Sequence, residues 1–164
     1  MPQSPPKRNL RPIALWGMAA AAAIAGIFGL VQLVPKNTTG VDVSRECVTH
    51  GQLGMHIHPH LEIIINGGRM GIPANAGITS DCMRPVHTHD TTNQLHVEWV
   101  KDHDFTLGDF FRVWGKTFNR DRILDYKTSA THVVTLTVNG VPSQEYEKLV
   151  LRDNDKIVIE YKKR

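Results

Sequence analysis

The run His56-Ile57-His58-Pro59-His60-Leu61-Glu62-Ile63-Ile64-Ile65-Asn66-Gly67 governs the reading of the whole chain. Side chains two apart on an extended strand share a face. Read as one continuous strand, the run places His56, His58, His60 and Glu62 on one face and Leu61, Ile63 and Ile65 on the other. Asn66-Gly67 then predicts a tight hairpin turn, because both residues tolerate positive φ. The return arm, from Arg69 to Ile72, must be short or lie at an edge, since Pro73 has no N–H to give to a ladder.

The same division recurs downstream. Six of the nine histidines lie between positions 56 and 96, and the later ones fall in His87-Thr88-His89-Asp90 and in His96-Val97-Glu98. Leu95, Val97 and Trp99 alternate with His96 and Glu98, which predicts a strand with its polar side chains away from the core. The polar turn Asp90-Thr91-Thr92-Asn93 joins it to the His87 segment, so the second and third histidine clusters are expected to face each other across one hairpin.

Leu107, Phe110, Phe111, Trp114 and Phe118 follow helical spacing, with Thr106 as N-cap, Asp109 in the first turn and Gly115 near the end. An aromatic stripe of this kind reads as core, the cover for the apolar face of a sheet. Val134, Leu136 and Val138 before Asn139-Gly140, then Ile157 and Ile159 after Asp153-Asn154-Asp155, predict two closing strands. The expected fold is α+β, one small mixed or antiparallel sheet with a single covering helix.

Residues 12–34 carry no charge, and at ~1.5 Å rise per residue they match the ~30 Å hydrocarbon core of a bilayer. They predict a single-pass transmembrane helix. Lys7, Arg8 and Arg11 precede it without an acidic residue, so residues 1–11 are expected in the cytosol and the remainder outside it. Residues 35–46 read as a tether, and residues 47–164 as the exported histidine-rich domain. The net charge of +3 comes from those three basic residues, and the rest of the chain is formally neutral, which leaves no electrostatic footprint for nucleic acid. No protein partner is legible.

Histidine with carboxylate, paired on one strand face, points to a transition-metal site of copper or zinc. His58, His87, His89, His96 and Glu98 are the leading ligands, with His56, His60 and Glu62 next. His50 and His103 flank turns and His132 opens a strand, so these three read as non-ligands. Cys47 and Cys82 carry two readings. They can close a disulfide in an oxidising compartment, or Cys82 with Met83 can offer soft sulfur to copper. The function that follows is metal handling by a membrane-anchored exported protein. Two alternatives stand beside it: a metalloenzyme with three histidines and Glu98 or Asp90 as base, and a non-catalytic interaction module whose histidines respond to pH.

Three resemblances bear on this. The tail, Thr137-Val138-Asn139-Gly140 with Leu149-Val150-Leu151 and Asp153 to Ile159, resembles the closing half of a β-grasp domain, without the Gly-Gly end of its sulfur-carrier branch. His56-Ile57-His58 with Glu62 and Gly67 is similar in part to the first metal motif of cupins. The stretch from His56 to Trp114, with its HIHPH, HTHD, LHVE and TLGDFF motifs, resembles an uncharacterised family of membrane-anchored, histidine-rich prokaryotic proteins. That last resemblance implies the architecture and no particular activity.

Overall fold

The computed structural model describes residues 40–164 together with Met1. In chain order the described elements are β1 (Met55–Ile57), β2 (His60–Ile65), β3 (Gly68–Met70), β4 (Val86–His87), β5 (His96–Trp99), α1 (Leu107–Trp114), β6 (Phe118–Asn119), β7 (Arg122–Ile123), β8 (Tyr126–Lys127), β9 (His132–Val138), β10 (Val141–Ser143) and β11 (Lys156–Lys163). They form three sheets, in the orders β1-β5-β4, β10-β9-β11-β2-β3 and β6-β7-β8.

The expected architecture, an α+β domain with one β-grasp-like sheet behind a transmembrane helix, is corrected on two counts. Among the described residues the regular structure is mostly strand, divided among three sheets, with one α-helix of eight residues. Among the described residues no helix is long and apolar enough to cross a membrane, and residues 12–34 lie outside the described residues.

The run from His56 to Ile65 is also not one strand. β1 pairs with β5, whereas β2 pairs with β3 and β11, so the chain crosses from one sheet to another at His58-Pro59. Pro59 has no N–H for a ladder, and its carbonyl accepts from Leu95 at 2.9 Å. The backbone N–H of His58 is taken by Asp153 at 2.8 Å.

Leu61 and Ile63 of β2 lie beside Ile157 and Ile159 of the parallel strand β11, and all four are buried with Val134 and Leu136 of β9. Each contributes about 1.5–3 kcal/mol by leaving water. The expected hairpin turn forms at left-handed Asn66-Gly67 before β3, and Asn139-Gly140 makes a second, unpredicted one before β10. Thr106 and Asp109 close a capping box on α1, and Gly115, at φ 71°, ends it. Leu107, Phe110 and Phe111 are buried, so the aromatic stripe is core, and Phe118 joins it from β6 rather than from the helix. Val43, within the stretch read as a tether, is buried against the same core.

Candidate metal centre

β5 is the middle strand of its sheet, and its alternation decides what surrounds it. Leu95 and Val97 are fully buried on the core side. His96 and Glu98 face the other way. Antiparallel register sets His56 of β1 opposite Glu98 and His87 of β4 opposite His96. His58 and His89 lie just past the ends of β1 and β4, and their rings stand 4.7 and 4.5 Å from that of His96. One sheet face thereby gathers five imidazoles around one carboxylate.

Glu98 is fully buried by these rings. Its Oε1 lies 3.1 Å from Nε2 of His56, 3.9 Å from Nδ1 of His96 and 4.0 Å from Nε2 of His87. Neither carboxylate oxygen accepts a hydrogen bond. A buried carboxylate so placed is costly unless a cation or donor meets it. His87, His89, His96 and Glu98 each bring one donor atom within 4.8 Å of the others and could hold a metal ion. His56, His58 and His96 form a second such group.

His87 is prepared as a ligand. Its Nδ1 lies 2.8 Å from the carbonyl oxygen of Arg84, which can only accept, so Nδ1 carries the proton and Nε2 the lone pair. That Nε2 is 3.1 Å from Nε2 of His89. Two nitrogens bound to one tetrahedral ion at ~2.0–2.1 Å sit about 3.3 Å apart, so the spacing suits a shared ion. Burial pushes the His87 pKa down to about 3, against the bond to Arg84, which favours the charged form; the neighbouring His89, His96 and His50 lower it further. Burial first, then His89, His58 and His56, takes His96 down to about 4. Both rings are therefore neutral near pH 7, the form that binds metal.

Thr88 fixes the backbone between the two ligands. Its hydroxyl donates to the carbonyl of Pro73 at 2.8 Å and accepts from the N–H of Ala76 at 3.0 Å, while its own N–H bonds the Ala76 carbonyl. Gly77 backs the same strand: a Cβ there would come within 2.9 Å of the Val86 carbonyl oxygen and 3.2 Å of the His87 Cβ.

His60 and Glu62 lie outside both donor groups. Past Pro59 their strand belongs to the other sheet, where Glu62 pairs with Arg69 at 2.6 Å and His60 lines a cleft with His58, Gln94 and Lys156. Asp90 is turned into its own loop, accepting from the backbone and hydroxyl of Thr92, and is likewise outside both groups. Cys47 and Cys82 are joined in a disulfide, which removes their sulfur from the ligand set.

His50, read as a non-ligand, stands at the rim of the centre. Its Nε2 is 3.7 Å from Oε1 of Glu98 and its ring stacks on His89 with centroids 6.0 Å apart. It sits on a single 3₁₀ turn, His50–Gln52, so no strand parity marked it. The signal was Cys47, three residues earlier, whose disulfide to Cys82 carries this segment to the second histidine cluster. His103 packs on Phe105 and His132 on Tyr161, and neither belongs to a donor group.

Comparison with family models, curated proteins and solved structures gives no match for this chain.

Proposed function

We propose that this protein handles copper or zinc outside the cytosol, binding the ion through His87, His89, His96 and Glu98. The observation that carries the reading is Glu98, a fully buried carboxyl group with no hydrogen bond to either oxygen, facing imidazole nitrogens. A divalent cation among these donors supplies the missing partner. Three imidazoles and one carboxylate suit zinc and copper, and no thiolate remains to favour a structural sulfur site. The Cys47–Cys82 disulfide supports a location in an oxidising compartment.

The test is a titration of the chelator-stripped full chain, without a histidine tag, with Cu²⁺ and with Zn²⁺ against a competing chromophoric chelator. The wild type is expected to compete for at least one of the two ions. His87→Ala/His89→Ala is expected to lose that competition while keeping its circular dichroism spectrum. A wild type that never competes, or a folded double variant that competes unchanged, overturns the assignment.

A further inference from the structure

The two donor groups have one residue in common, His96. Among the described residues His56 and His58 group with His96 and with neither His87 nor His89, so when one ion is seated among His87, His89 and Glu98 they are placed to serve a second position beside it. The ring of His96 stands between them, its centroid 4.5 Å from that of His89 and 4.7 Å from that of His58, edge-on to both. Its Nδ1 is buried without a hydrogen-bond partner and faces Glu98. Glu98 in turn reaches the second group, since its Oε1 is 3.1 Å from His56.

We propose that the centre takes two ions, the first on His87, His89 and Glu98 and the second on His56 and His58, with His96 bridging them through its two ring nitrogens. The inference rests on the metal-binding reading of the same site. An imidazole that binds an ion on each nitrogen gives up its remaining N–H proton, so filling the second position releases one proton to solvent from His96. The second position lies beside the cleft that His58 shares with His60, Gln94 and Lys156, a cavity of about 530 Å³. It is the more accessible of the two, because the side chain of His56 is 41% exposed and that of His87 fully buried.

The experiment is Cu²⁺ loading of the stripped full chain, with copper counted by native mass spectrometry and the same samples examined by electron paramagnetic resonance. The wild type is expected to hold two copper ions per chain whose spins couple, so the integrated signal falls well below two independent spins. His58→Ala is expected to hold one, with a full uncoupled signal. His60→Ala, which changes the cleft and neither donor group, is expected to hold two. A wild type that stops at one ion, or takes no copper, overturns the two-ion centre and leaves the proposed function standing, which falls only if the chain binds neither copper nor zinc. Two ions with uncoupled spins, or loss of both ions in His58→Ala, overturn the bridge.

Discussion

At the residue scale, Glu98 and the rings around it set the chemistry of the centre. Glu98→Gln keeps the shape and removes the charge, so its effect reports the electrostatic contribution to binding. We expect affinity to fall by at least about 10–100-fold, the loss that follows even when an outer partner of a metal ligand is removed, with little change in the metal-free fold; a competition titration checks it, and unchanged affinity would remove Glu98 from the ligand set. The pH behaviour of the metal-free protein follows from His87 and His96. Their folded pKa values, about 3 and about 4, lie below the 6.5 of a free imidazole. Between those limits the unfolded chain binds more protons than the folded one, so stability rises with pH there. The contribution is complete above pH 6.5 and is lost as pH falls toward 3. Urea midpoints of the chelator-treated protein are expected to drop steadily below pH 6.5, and a flat profile down to pH 4 would contradict the burial of these rings.

At the element scale the site depends on short strands held by side-chain bonds. β4 has two residues, and the loop after it is kept in place by the buried hydroxyl of Thr88. Thr88→Val leaves the Ala76 N–H without its acceptor and is expected to cost about 1–3 kcal/mol, read by urea unfolding, and to weaken metal binding by misplacing His87 and His89. A variant as stable as wild type would show that the loop is fixed elsewhere. The same elements mark what was legible in the sequence. Alternation at Leu95 to Trp99 placed His96 and Glu98 correctly, because one face of β5 is packed against the core and the register cannot slip. Alternation failed between His58 and His60, because Pro59 transfers the chain to another sheet and parity holds only within one strand. Strands β6 to β8 have two residues each, too few to carry any period. His50, a non-ligand by spacing, stays outside both donor groups, and its place at their rim had no local signal because the segment is tied there by a distant covalent bond.

At the scale of the whole molecule, the disulfide and the metal act on the same region. Cys47–Cys82 closes a separation of 35 residues that contains β1, β2 and β3 and delivers His50 to the rim of the centre. In the chain-entropy view it stabilises the fold by about 4 kcal/mol. Cys47→Ala/Cys82→Ala is expected to lower the urea midpoint accordingly and to weaken metal binding, with bound metal restoring part of the lost stability through mass action; a variant with unchanged midpoint would show that the core alone fixes this segment. Buried His87 and Glu98, with His89 and His96 beside them, are arranged to hold an ion. The most direct measurement is elemental analysis of the untagged full chain, produced with its disulfide formed and purified without chelators, beside His87→Ala/His89→Ala. Copper or zinc at near one equivalent or above in the wild type, and absent from the folded variant, is the result predicted. A folded wild type free of transition metal, or equal metal in both proteins, would contradict it.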